Sequence, residues 1–510
     1  MTIESYLKKL WNNKKLVYII VSSMVFTIVA HGFVMFNKYA YHDEASNFMN
    51  IGETISSGRW MLEIFWLIQR VFRGEMWSTP VVNVLITVFA IAITSYLVCN
   101  LLDINSKFLC ILATGMLITW PSITGIFAYM FTAPYYYLGL LIGVFGTYLW
   151  IKNKTILNSV IGTILMACAV GTYQSNLGVL ISILVLNFIA EVYKSEDTNW
   201  ATYIKKALYN IAVCLLTLIE YLAITYLSLK ITGQQLSDYQ GVSNFGMTSI
   251  SGYIQRIIFA YSQFFNPYLW TNISTFYFRN KYYFTATLII SAILLCVILK
   301  VQLKEKKISK AIQIILPILT LPLATNFLFF MCETYHGLMT FSEVFIFFFF
   351  IWEYRIIADK NKYICCLKQM MNFLIILILI GNIRLSNVCY MKAEVVKEQE
   401  ISYYTRLITR IEECEGYSSG MPIAYVNEKN KYNTNIATAP EFSNICLMGY
   451  GEYNLINSRG WRYFAKFWCG WNPEEVDASL YEDNDYVKSM PHYPEVGSIE
   501  VIDGVVVVNF

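Results

Sequence analysis

The chain has 510 residues, of which 56% are hydrophobic and only 14% are charged. A soluble domain carries roughly a quarter charged residues, so this chain has too few charges to cover a water-facing surface of its size. The composition therefore predicts a polytopic membrane protein. The formal net charge of +3 gives no reason to expect nucleic acid as a partner.

The N-terminus places four lysines within "MTIESYLKKLWNNKK", and a long apolar run follows. That run is longer than the apolar part of a signal peptide, so we expect a retained anchor. Apolar runs of spanning length recur along the chain and predict eleven membrane helices. These runs are Leu16–Phe36, Val81–Leu102, Phe108–Met130, Ala133–Ile151, Ile156–Tyr173, Asn176–Tyr193, Ala207–Leu229, Tyr283–Val301, Ala311–Phe330, Leu338–Tyr354 and Tyr363–Ile383.

The lysines are distributed unevenly between the predicted loops. With the N-terminus in the cytoplasm, the alternating inner segments hold most of the lysines, as at Lys152, Lys205 and Lys310. The short outer turns near Gln174 and Glu333 hold neither lysine nor arginine. Cytoplasmic loops are enriched in both, so we predict a plasma-membrane protein with a cytoplasmic N-terminus and an extracytoplasmic C-terminus.

The composition changes near residue 384, where the chain becomes polar and charged. We predict a membrane domain over residues 1–384 and a small extracytoplasmic α/β domain over residues 385–510. "IAYVN", "NICLMGY" and "SIEVIDGVVVVNF" are typical of short strands, and Asp503-Gly504 suits a hairpin turn.

The tail also has four cysteines, for which three disulfide pairings are open. The chain has no Walker-type phosphate loop, which argues against an ATP-driven pump.

The first outer loop places "YHDE" directly after the first predicted span, with arginines farther along. A carboxylate such as Asp43 or Glu44 can accept a proton from an attacking hydroxyl, or hold a divalent cation. An arginine can bind a phosphate through two parallel hydrogen bonds. From Ala45 to Val71 the loop is too charged to span and predicts amphipathic helices in the membrane interface. The alternative interpretation is that Asp43 and Glu44 form a solvated helix end and that the arginines anchor the loop to lipid phosphates.

"YHDE", "SSGRWM", "PSITGIFAYMFTAPYYYLGLL" and "GTYQSNLG" resemble segments of the Gtr type II glucosyltransferase family. The resemblance implies a GT-C-like polytopic glycosyltransferase. It also implies a polyprenyl-phosphate donor, usually carrying glucose, and an extracytoplasmic surface glycan as acceptor. Asp43 would be the base or a metal ligand, Glu44 its partner, and Arg59 the phosphate clamp. The family pattern has Asp-Asp where this chain has His42-Asp43-Glu44, so the identity of the base stays open, as does any need for a divalent cation.

Further polar residues at the outer edge are candidates for substrate binding. Each of them also has an ordinary structural role as an interfacial, capping or solvated side chain. The candidates are His42, Arg59, Arg70, Tyr173, Gln174, Glu333 and His336.

Two other functions fit a polytopic protein of this kind. A flippase or transporter needs ionisable residues through the membrane, and Glu220 is the clearest one in the predicted spans. A polymerase of lipid-linked glycans would also act at the outer face. The charged residues concentrate at the outer face, which favours glycosyl transfer at that face over transport of a glycan across the membrane.

Overall fold

The computed structural model describes residue 5 and residues 11–39, 43–74, 77–152, 155–237, 249–267, 270, 279–304, 308–332, 335–359, 361–428 and 460–510. Most of these residues are helical. The helices are α1 (Lys14–Phe36), α2 (Asp43–Ser46), α3 (Trp60–Arg73), α4 (Pro80–Leu101), α5 (Lys107–Thr119), α6 (Pro121–Ile126), α7 (Ala133–Lys152), α8 (Ile156–Thr172), α9 (Asn176–Lys194), α10 (Trp200–Thr232), α11 (Ile250–Phe265), α12 (Asn280–Lys304), α13 (Ile308–Thr325), α14 (Phe327–Met331), α15 (Ile346–Ile356), α16 (Lys362–Glu412), α17 (Trp461–Trp468), α18 (Ser479–Glu482) and α19 (Asp485–Ser489).

Eight of the described helices are long and apolar enough to cross a membrane, and joining one bent pair gives nine. The predicted count of eleven is therefore not confirmed. The run Phe108–Met130 forms the bent pair, which turns by 40° where Pro121 begins α6. Proline lacks an N–H and holds the preceding residue in an extended conformation, so the helix breaks there. Ile156–Tyr173 yields a helix of 17 residues, and Leu338–Tyr354 yields 3₁₀ turns before the short α15.

The chain forms two compact units. The first contains residues 1–37 and 49–387, and the second contains residues 38–48 and 388–510. The second unit thus combines most of the polar tail with a short segment after the first span. The sequence boundary near residue 384 did not anticipate that segment.

Within the first unit, α7 and α8 approach closely through small residues. A Cβ added to Gly139 would lie 2.3 Å from Oγ1 of Thr172, and one added to Gly146 would lie 2.5 Å from the carbonyl oxygen of Gly162. Glycine permits such approach because it has no side chain, and small residues are the usual contact between membrane helices. This packing brings the beginning of α7 beside Tyr173, which follows α8.

The second unit has a three-stranded sheet in the order β1-β3-β2, where β1 is Ile423–Val426, β2 is Ile499–Ile502 and β3 is Val505–Asn509. β1 pairs parallel with β3, and β2 pairs antiparallel with it. The predicted strands "IAYVN" and "SIEVIDGVVVVNF" are confirmed, whereas "NICLMGY" lies outside the described residues.

The turn between β2 and β3 has the predicted chemistry. Asp503 and Gly504 both have positive φ, at 52° and 79°, as a tight two-residue hairpin turn requires. Among the described cysteines of the tail, Cys414 and Cys469 are free thiols, and Cys446 lies outside the described residues.

Candidate active site

A tight turn presents Arg59 at the beginning of α3. The turn is a 3₁₀ helix over Ile55–Ser57 that ends at Gly58, whose φ is +71°. The Arg59 amide closes the turn by donating to the carbonyl oxygen of Thr54 at 2.8 Å. Glycine suits position 58 because side chains rarely adopt this conformation. A Cβ there would also meet the Tyr221 hydroxyl oxygen at 2.7 Å.

Gln174 holds this turn in place. Its side-chain Nε2 donates to the carbonyl oxygen of Ser57 at 2.7 Å and to the hydroxyl of Tyr221 at 3.2 Å. The sequence predicted a substrate-binding role for Gln174. In the structure the amide nitrogen joins the turn to the neighbouring helix α10, and the substrate-binding role of Gln174 stays a prediction.

The Arg59 guanidinium lies against two stacked tyrosines. Tyr136 and Tyr173 have ring centroids 4.2 Å apart and nearly parallel planes. Arg59 Nη1 donates to the Tyr136 hydroxyl at 3.0 Å, and its Cζ lies 5.3 Å from the centroid of the Tyr173 ring. A cation beside aromatic faces is stabilised by their negative faces, and the stack restricts the arginine to one orientation. The structure thus brings together the predicted residues Arg59, Tyr173 and Gln174.

A small cavity adjoins this stack. Its lining combines the two stacked tyrosines with further aromatic, hydroxyl and amide groups. The lining residues are Ile126, Tyr136, Tyr137, Tyr173, Ser175, Asn176, Leu338 and Phe341. Its volume of about 10 Å³ is enough for about one water-sized group.

Sequence reasoning missed Tyr136, Tyr137, Ser175 and Asn176 as individual candidates. All four lie in "FTAPYYYLGLL" and "GTYQSNLG", two of the segments that carried the family resemblance. The family resemblance pointed to these two segments, but it did not identify the four residues within them.

Two of the remaining outer candidates lie in described parts of the first unit. Arg70 lies on α3 with its Cζ 4.7 Å above the ring of Trp66. His336 precedes the 3₁₀ helix Gly337–Met339, and its carbonyl oxygen accepts from the amide of Met339. Glu333 and His42 lie outside the described residues.

The acidic pair belongs to the second unit, where its two carboxylates differ sharply. Asp43 begins α2 and is exposed, whereas Glu44 is only 1% exposed and forms an ion pair with Lys38. Burial lowers the pKa of the Lys38 ammonium, and the Glu44 carboxylate offsets only part of this effect. Because both charges are largely removed from water, removal of either partner would leave a buried, uncompensated charge.

Apolar side chains anchor the same segment within the second unit. Ala45 is completely buried in a core that includes Tyr403, Trp461 and Phe464. Phe48 stacks on Phe467 of α17, with the ring centroids 5.0 Å apart. The residues that follow the acidic pair are therefore held by helix packing, which keeps Asp43 at a defined position in this unit.

The described residues contain no group of three or more His, Cys, Asp or Glu side chains arranged to hold a metal ion. Asp43 and Glu44, the predicted ligands if a cation binds, do not form such a group within the part of the chain that the structure describes.

A family model described as "Glucosyl transferase GtrII" matches residues 32–352. The match includes the turn at Arg59, the stacked tyrosines and the acidic pair, and it ends before most of the second unit. No curated protein and no solved structure matches the chain significantly.

Proposed function

Because the chain belongs to the glucosyl transferase GtrII family and is therefore a glycosyltransferase, we propose that it moves a hexose, glucose in the simplest case, from a polyprenyl-phosphate donor to a surface glycan outside the membrane. The observation that carries this proposal is the position of Arg59 against the Tyr136–Tyr173 stack beside the small cavity.

In this proposal Arg59 binds the donor phosphate. A guanidinium offers a planar fork of N–H donors that matches phosphate oxygens, and aromatic contacts hold the fork in one orientation. Tyr137, Ser175 and Asn176 line this cavity, which has room for about one water-sized group, so their hydroxyl and amide groups can bind a single sugar hydroxyl. Asn176 is fixed for this purpose, since its Nδ2 donates to the carbonyl oxygen of Ala169 at 3.0 Å.

Asp43 is the proposed base. The acceptor hydroxyl attacks the anomeric carbon and transfers its proton to the Asp43 carboxylate, while the bond between the sugar and the phosphate breaks. The lipid phosphate leaves with the electron pair of that bond. The transition state resembles an oxocarbenium ion, so a carboxylate also stabilises its positive charge, and the arginine stabilises the departing phosphate.

We assign Glu44 to positioning rather than to proton transfer, because it is buried and ion-paired with Lys38. Arg70, His42, Glu333 and His336 stay proposed substrate contacts. The proposed orientation, with the N-terminus in the cytoplasm and the C-terminal unit outside, is supported by the uneven distribution of lysines.

Mass spectrometry of the cell-surface glycan tests the proposal in four strains: wild type, a deletion, Asp43→Asn and Asp485→Asn. Asp485 is a matched control, since it is an exposed aspartate in the first turn of another short helix in the same unit. We expect one hexose branch to disappear in the deletion and in Asp43→Asn only, at unchanged protein level. General-base loss costs roughly 10²–10⁴-fold in rate.

Other outcomes identify the alternatives. An intact branch in Asp43→Asn would remove Asp43 from catalysis. Shorter glycan chains, rather than a missing branch, would indicate a polymerase. Movement of labelled lipid-linked glycan across liposomes containing the purified protein would indicate a flippase.

A further inference from the structure

A second site lies in the first unit, in a groove formed by the ends of α7 and α9 and by the first turns of α10. The groove has a volume of about 640 Å³ and is lined by residues from all three helices. This volume lies in the range of sites that bind small molecules, which is roughly 300–1,000 Å³. None of the residues proposed for glycosyl transfer lines it.

The polar lining is dominated by positive charge. Lys205 and Lys206 on α10 contribute two ammonium groups, and Glu191 on α9 contributes one carboxylate. The Glu191 carboxylate accepts a hydrogen bond from Nδ2 of Asn187 at 3.0 Å. The ionisable lining therefore has a net charge of +1, from two cations and one anion, which complements a ligand group with a single negative charge.

A stacked aromatic pair also lines the groove. Trp150 is 4% exposed and stacks on Tyr209, with the ring centroids 4.2 Å apart. Its indole Nε1 is buried and has no hydrogen-bond partner within the described ranges. This nitrogen is shielded from solvent, so a ligand in the groove would contact the ring rather than the N–H.

The rest of the groove is apolar and continues onto the surface of α10. Leu208 lines the groove and is 58% exposed, and Leu215 and Ile219 extend an exposed apolar surface along the same helix. α10 is one of the helices able to cross a membrane. A ligand with a charged group at the lysines and a hydrocarbon chain along α10 would satisfy both parts of the surface.

We propose that this groove binds an anionic glycerophospholipid with a single phosphodiester, such as phosphatidylglycerol. The two lysines bind the anionic head group, and an acyl chain lies along α10. Basic pockets between membrane helices at the lysine-rich face are sites for anionic head groups. The bound lipid would fix the ends of α7 and α9, the helices that begin near the Tyr136–Tyr173 stack.

Native mass spectrometry of the purified full-length protein tests this inference with phosphatidylglycerol and phosphatidylcholine of identical acyl chains. We expect phosphatidylglycerol to bind about 30-fold more tightly, because its head group has a net negative charge whereas that of phosphatidylcholine is neutral, and two lysines near an anionic lipid contribute about 1 kcal/mol each. The preference should vanish in Lys205→Gln/Lys206→Gln.

The matched control is Lys300→Gln/Lys362→Gln, which removes two exposed lysines that do not line the groove. It should keep the wild-type preference. Equal binding of the two lipids to the wild type would overturn the inference, and so would an equal loss in the control. Displacement of phosphatidylglycerol by an equimolar polyprenyl phosphate would also overturn it, since the groove would then bind the donor lipid.

Discussion

The segment around Arg59 and the segment around Asp43 come from the same predicted outer loop, yet they are stabilised in different ways. Arg59 belongs to the first unit and lies against two stacked phenol rings. Glu44, next to Asp43, belongs to the second unit and is buried in an ion pair. The first environment orients a cation with aromatic faces, and the second fixes a backbone segment with opposite charges. Neighbours in sequence can therefore have unrelated physical roles.

The largest expected effect concerns the buried ion pair. Glu44→Gln leaves the Lys38 ammonium without its counter-charge, so we expect the free energy of unfolding to fall by about 3–5 kcal/mol. Thermal denaturation of the purified protein measures this change. The control Glu482→Gln, an exposed glutamate of the same unit, should change stability by less than about 0.5 kcal/mol. Equal stability of the two variants would show that the pair does not hold the segment.

Arg59→Lys tests the aromatic environment. Lysine keeps the charge but loses the planar fork, so we expect kcat/KM to fall about 100-fold, which corresponds to about 3 kcal/mol of transition-state stabilisation. Steady-state transfer to an acceptor glycan provides the measurement. Arg384→Lys, at an exposed position on α16, should keep wild-type activity. A fall in kcat/KM of less than two-fold in Arg59→Lys would show that Arg59 does not bind the donor phosphate.

The contact between Phe48 and Phe467 should contribute less. Aromatic pairs contribute about 0.5–1.5 kcal/mol beyond the area that they bury. We expect a double-mutant cycle of Phe48→Ala and Phe467→Ala to give a coupling of about 1 kcal/mol in thermal stability. Tyr463→Ala changes another half-exposed aromatic of α17 and should show no coupling with Phe48→Ala. A coupling near zero for Phe467 would contradict the packing that anchors the acidic segment.

The smallest effect is expected at Tyr136. Tyr136→Phe removes the hydroxyl that accepts from Arg59 but keeps the stacked ring. We expect kcat/KM to fall about five-fold, because a single hydrogen bond contributes about 1 kcal/mol. Tyr148→Phe, on the same helix, is the control and should have no effect. Wild-type activity in Tyr136→Phe would assign the orientation of Arg59 to the stack alone.

Much of the local structure was predictable. The apolar runs located the membrane helices because backbone groups in lipid must be satisfied within a helix, so a spanning segment has to be long and apolar. The Asp503-Gly504 turn was predictable because few residues tolerate its backbone angles. The family segments pointed to the stretches that contain Arg59, Tyr136 and Asn176, but not to each of these residues.

The sequence by itself determined the membrane class, the strands of the C-terminal unit that are described, and the family. Only the tertiary structure decided that Tyr136 stacks on Tyr173, that Asp43 is exposed while Glu44 is buried, and that three helix ends form a lysine-lined groove. The physical reason is that hydropathy and turn chemistry act between near neighbours in the chain. Burial, stacking and charge pairing depend on which distant helices approach, and small residues such as Gly139 and Gly146 set that approach through contacts specific to this fold.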